Sequence, residues 1–132
     1  MKSDLCERTF KFALRITRLC QKLSEQPGVG RAIGRQLFDS GTSIGANVEE
    51  GQDGQSKADF LSKYSIALKE ARETRYWLRL AVGSEICREE EISGIIKECG
   101  ELIAILTTIV KKTKGKIESE KGKGRREKRK VN

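Results

Sequence analysis

The sequence predicts an all-α protein, an antiparallel up-down-up-down four-helix bundle with a disordered basic tail at its C-terminus. Three observations carry that expectation. Pro27 is the single proline of the chain, aromatic residues are scarce, and Lys, Arg, Glu, Leu and Ile abound, a composition of straight-chain helix formers with almost no strong breaker. Apolar residues recur at three- and four-residue steps in four separate stretches, the signature of one buried helix face. The stretches are joined by short polar connections, which make sequential helices antiparallel neighbours. At 132 residues the chain is the size of one domain that buries a core without metals or disulfide staples.

The first helix is expected to start after Ser3, an N-cap candidate, with Asp4 and Glu7 in a first turn where carboxylates meet the positive end of the helix dipole. Its face comprises Leu5, Cys6, Phe12, Ala13, Ile16, Leu19, Cys20 and Leu23, and Gln26-Pro27-Gly28 ends it. A second helix from about Arg31 to Glu50 places Ile33, Leu37, Ile44 and Val48 on one stripe, with Ser40-Gly41 in the middle of it. A glycine there costs about 1 kcal/mol of helix propensity against alanine, and the compensation expected is close approach of a neighbouring helix. A polar turn, Gly51 to Gly54, closes this helix; Ser56, with Asp59 three residues on, caps the next.

The third helix has the clearest stripe, Phe60, Tyr64, Ala67, Ala71, Thr74, Leu78 and Ala81. After a connection at Gly83 to Arg88, Glu89-Glu90-Glu91 opens a fourth helix whose apolar positions approach a heptad seam and which ends at Lys111-Lys112, beside the negative end of its dipole. This division gives a bundle over residues 1–112 and a tail over 113–132, too polar to offset its ordering entropy.

Charge separates the same two regions. Between Lys111 and Asn132 lie eleven Lys/Arg and three Glu, so that segment holds the entire net charge of +8 and the rest of the chain is formally neutral. No leader is expected at Met1-Lys2-Ser3-Asp4, where charges interrupt every apolar run, and no stretch approaches the roughly 20 apolar residues of a membrane span. A cytoplasmic protein is expected. Cys6, Cys20, Cys87 and Cys99 are widely spaced and the chain has no histidine, so they are read as reduced thiols, with Cys87, in a connection, the most exposed.

Two segments carry most of the sequence's specificity: Ser43-Ile44-Gly45-Ala46-Asn47-Val48-Glu49-Glu50-Gly51, and Phe60 through Leu78, above all Ala67-Leu68-Lys69-Glu70-Ala71-Arg72-Glu73-Thr74-Arg75-Tyr76-Trp77-Leu78. They resemble the four-helix-bundle proteins encoded within intervening sequences of bacterial 23S ribosomal RNA genes, over roughly residues 5 to 110. Glu49 departs from the pattern, which has a small residue there. The resemblance implies a left-handed antiparallel bundle and a homo-oligomer, with a pentameric ring the most familiar arrangement. A related bundle, the accessory protein of diversity-generating retroelements, is a basic pentamer that engages nucleic acid and a reverse transcriptase.

No active-site chemistry is legible. Gly28-x-Gly30-x-x-x-Gly34 has the wrong spacing and context for a dinucleotide fingerprint, no Walker A sequence is present, and no histidine is available to activate a Ser or Cys nucleophile. Neither enzymatic activity nor a cofactor or metal is expected. Asn47 and Glu50 are candidates for a structural polar cluster with Ser65, Glu70 or Glu73 that sets helix register or a subunit contact; a carboxylate-held divalent ion is the lesser alternative.

Nucleic-acid contacts are the sharper expectation. Lys121, Lys123, Arg125, Arg126, Lys128, Arg129 and Lys130 form a run suited to phosphate backbones. Arg72, Arg75 and Arg79 share one helix face, with Lys69 and Tyr76 nearby, and are either a second phosphate-binding surface or a solvated or intersubunit face. RNA or DNA and further copies of the chain are thus the expected partners. The alternative is a protein-interaction scaffold with no nucleic-acid role.

Overall fold

The computed structural model describes the backbone over residues 4–131 and the side chains through Arg125. Four helices follow in order: α1 (Asp4–Ser24), α2 (Val29–Gln52), α3 (Lys57–Gly83) and α4 (Glu89–Val131). Connections of four, four and five residues leave each helix no route except back along its predecessor. The expected N-cap Ser3 lies outside the described residues. Ser56 caps α3 as expected, its Oγ accepting from the Asp59 backbone N–H at 3.1 Å.

The four apolar stripes converge on one core in which Ile16, Leu37, Ile44, Leu78, Leu102 and Leu106 are fully buried. Gly41 bears out the close approach of α1 to α2: a Cβ there would lie 2.8 Å from Ile16 Cγ2. Gly51 is a correction to the sequence reading, which put it in a turn. It lies inside α2, buried under the Tyr64 ring, where a Cβ would meet Cδ1 at 2.7 Å. The two sequence blocks that carry the family resemblance therefore pack on one another. Ser40 and Thr74 join the same seam: Ser40 Oγ donates to the Gln36 carbonyl of its own helix, and the one Thr74 hydroxyl proton lies between two acceptors, Ser40 Oγ at 2.9 Å and the Glu70 carbonyl at 2.7 Å. Two polar groups thus enter the core satisfied.

α1 and α4 sit further apart than the sequential pairs, and long side chains span the gap. Arg8 donates through Nε and Nη2 to both Glu98 carboxylate oxygens at 2.8 and 2.7 Å, and through Nη2 to Glu101 at 3.2 Å. This fork geometry holds the Glu98 carboxyl below the ordinary carboxylate range.

Two further differences from the sequence reading stand out. Cys87 is buried, because the Ile86 and Cys87 backbone N–H groups both bond the Ala81 carbonyl and fold the α3–α4 connection over the helix end. Glu85 takes the left-handed conformation (φ 62°) that lets the chain turn there. The second difference is α4, which continues through Val131 where the sequence reading ended it at Lys112. Thr113 is buried and Ile117 half-buried, so the stripe of Leu106 and Val110 runs on past the expected boundary. The Lys, Arg and Glu that follow are good helix formers uninterrupted by proline.

Candidate nucleic-acid interface

α4 outruns the bundle. Its Glu120 pairs with Lys57, the first residue of α3, and the eleven residues after Glu120 extend the helix about 16 Å further. Lys121, Lys123 and Arg125 are all exposed on this arm. The side chains of Arg126, Lys128, Arg129 and Lys130 lie outside the described residues.

Helical spacing sorts the charges of the arm. Thr113, Ile117 and Glu120 fall on the stripe that faces the bundle, with Glu120 turned toward α3. Lys112, Lys116 and Lys123 lie on one flank and Lys111, Lys114, Lys121 and Arg125 on the other, and all seven are exposed. Of the acidic residues described here, Glu120 is neutralised by Lys57 and Glu118 sits among the second flank. The result is a cationic ridge with two charged sides, held away from the body by one end.

Arg72, Arg75 and Arg79 are exposed, and none makes an ion pair among the described residues. Arg75 lies near enough to Cys99 to oppose the rise in the pKa of that thiol, which places the stripe on the side of α3 toward α4. Tyr76 is exposed between Arg72 and Arg79, and its ring meets Trp77 edge-on at 5.2 Å. The stripe and the arm do not form one surface: Arg72 stands fifteen residues along α3 from Lys57, about 22 Å.

The polar residues separate as well. Asn47 Nδ2 donates to the Ser43 carbonyl of its own helix at 2.8 Å, and Glu50 pairs with Lys63 at 2.8 Å. Glu70 lies further along the α2–α3 seam, where burial first, then the charges of Glu73 and, more weakly, Asp39, push its carboxyl up. Glu73 accepts from Trp77 Nε1 at 3.4 Å. Asn47 and Glu50 thus bond within α2 and to the start of α3, whereas Glu70 and Glu73 belong to the neighbourhood of Asp39. Among the described residues no three His, Cys, Asp or Glu side chains gather to hold a metal ion. No helix among them is long and apolar enough to cross a membrane. Burial raises the thiols of Cys20 to about 11 and of Cys99 to about 12, so both stay protonated at neutral pH.

Comparison with known proteins decides what this architecture is. The sequence profile of the 23S rRNA-intervening sequence protein family matches residues 1–108. The chain belongs to that family. The crystal structure of a protein of unknown function from the S23 ribosomal protein family of Bacteroides thetaiotaomicron is similar, with 39% identity over 80% of this chain and 97% of that one and a TM-score of 0.74. No curated protein gives a significant match. The family match ends before the cationic arm begins, so the arm lies outside the part of the chain that defines membership.

Sequence reasoning missed the Arg8–Glu98–Glu101 bridge and the Lys57–Glu120 contact, which join residues 90, 93 and 63 positions apart. Opposite charges on two amphipathic helices were legible; which of them face one another depends on helix rotation.

Proposed function

We propose that this protein is a non-enzymatic, cytoplasmic helical bundle that assembles with copies of itself and binds RNA or DNA through phosphate charge. The pentameric ring that the family resemblance implies is the assembly we favour. The observation that carries the reading is the concentration of the chain's entire net charge at the C-terminal end of α4, on a helix that leaves the bundle. A cationic ridge of this kind displaces condensed counterions from a phosphate backbone, which gives affinity with little sequence preference and a steep salt dependence. Several arms on one assembly would add avidity that no single arm supplies. The absence of histidine from the sequence and the protonated, buried Cys20 and Cys99 support a non-enzymatic role.

The test is replacement of Lys121, Lys123, Arg125, Arg126, Lys128, Arg129 and Lys130 by glutamine, which keeps helix propensity and removes charge. RNA and DNA binding is then measured across a salt series, with mass by light scattering. Affinity at low salt should fall by about 100-fold or more, and the slope of log K against log salt should become shallower by about 0.9 for each phosphate that is no longer neutralised. Full retention of affinity would overturn the assignment to the arm and move it to Arg72, Arg75 and Arg79.

A second reading, a scaffold for another protein, is favoured by the large apolar side chains left in solvent on α1 and α3, notably Phe10, Leu14, Tyr76 and Leu80. It predicts salt-insensitive capture of a defined polypeptide and no retention of nucleic acid.

A further inference from the structure

Near the end of the bundle opposite the arm, the seam between α1 and α2 opens into a groove of about 380 Å³, within the range of sites for small ligands, about 300–1,000 Å³. Thr17, Cys20 and Gln21 line it from α1, and Arg31, Arg35 and Phe38 from α2. The lining holds two guanidinium groups and no carboxylate. Phe38 is 46% exposed, whereas its chain neighbour Leu37 is fully buried, so this ring stands off the core stripe and presents apolar surface to the groove.

The polar groups are left available. Arg31 donates Nε to the Ser24 carbonyl at 3.2 Å, which ties it across to the end of α1 and leaves its terminal nitrogens unpaired among the described residues. Arg35 and the Gln21 amide likewise make no side-chain hydrogen bond or ion pair there. Thr17 Oγ1 donates to the Ala13 carbonyl at 2.8 Å and keeps its acceptor capacity. Cys20, 8% exposed, contributes an uncharged sulfur surface and no nucleophile.

An aromatic face, two unpaired cations and an amide that both donates and accepts complement a planar heteroaromatic ring bearing phosphate. We infer that this groove binds a nucleotide, its base against Phe38 and Gln21 and its phosphate against Arg31 and Arg35. The ligand is either a free nucleotide or one unit of a single strand. This site is independent of the α4 arm.

Calorimetric titration of the full chain with AMP, adenosine, inorganic phosphate and a short oligoadenylate tests the inference, on wild type, Phe38→Ala, Arg35→Gln and the arm variant described above. AMP should bind once per chain and more tightly than phosphate or adenosine. Phe38→Ala and Arg35→Gln should each weaken it about tenfold, while the arm variant leaves it unchanged. Oligoadenylate binding tighter than AMP with the same dependence on Phe38 assigns the site to a strand, and equal affinity assigns it to the free nucleotide. Absence of AMP binding, equal affinity for phosphate and AMP, or insensitivity to Phe38→Ala overturns the site without touching the arm. A smaller mass for Phe38→Ala than for wild type in light scattering would also overturn it, by making the groove a contact between copies of the chain. Circular dichroism melts establish that the variants fold.

Discussion

α2 and the C-terminal arm of α4 are both helices interrupted by glycine, and they differ in how much packing supports them. α2 contains Gly30, Gly34, Gly41, Gly45 and Gly51, each a local penalty of about 1 kcal/mol against alanine. Burial offsets those penalties: Ile33, Leu37, Ile44 and Val48 are in the core, and Gly41 and Gly51 let Ile16 and Tyr64 approach the backbone. Beyond Thr113, α4 has less of that support. Its Lys, Arg and Glu favour helix while Gly115, Gly122 and Gly124 oppose it, little apolar surface is covered, and the Lys57–Glu120 pair that ties it to α3 has exposed side chains that contribute little net stability. Tertiary packing thus offsets the glycines of α2, whereas the arm has little packing to offset its own and leaves its charge exposed.

The largest effect that this contrast predicts is at Gly41. Gly41→Leu would force a side chain into the space of Ile16 and should cost about 3 kcal/mol in urea unfolding, even though leucine is the better helix former. An unchanged midpoint would break the claim that close approach maintains α2.

An intermediate effect is expected where α1 and α4 meet. The Arg8 hydrogen bonds depress the Glu98 carboxyl in the folded state, while in the unfolded chain it titrates near its ordinary pKa of about 4.3. Their stabilisation is therefore complete above that ordinary value and is lost as pH falls through the lower folded value. Between about pH 5 and about pH 3 the Tm of the wild type should fall more steeply than that of Arg8→Gln, which has already lost the pair. Parallel curves would show that the bridge contributes nothing.

The smallest effect on global stability is expected in the arm. No side chain or distant backbone lies within 4 Å of a Cβ added at Gly122, so Gly122→Ala should favour local helix by about 1 kcal/mol, seen as increased ellipticity, and leave the urea midpoint unchanged. A shift in the midpoint would show that arm and bundle unfold together.

Much of the bundle was legible because helical periodicity is a local property. The stripes from Cys6 to Leu23 and from Tyr64 to Ala81 name the residues found in the core, and Ser56 is the cap its sequence position suggests. Cys87 was misread because its burial depends on the turn at Glu85, a non-glycine residue in a conformation that glycine favours. The candidate sites divide in the same way. The exposed cations of the arm and of Arg72, Arg75 and Arg79 were readable from charge and spacing. The α1–α2 groove was not: Arg31, Arg35 and Phe38 share one face of α2 by their spacing, but that this face meets Gln21 depends on how α1 packs against α2.

The sequence by itself determined that this is a helical protein with four apolar stripes, a neutral body and one cationic end, since composition and short-range spacing are sufficient for those properties. Only the tertiary structure decided that Gly51 lies beneath Tyr64, that Arg8 meets Glu98, that the cationic end stands about 22 Å along α3 from Arg72, and that α1 and α2 enclose a groove between them. Each of these depends on the rotation and sliding of one helix against another. Packing of complementary surfaces sets those two degrees of freedom, and no single helix sequence contains them.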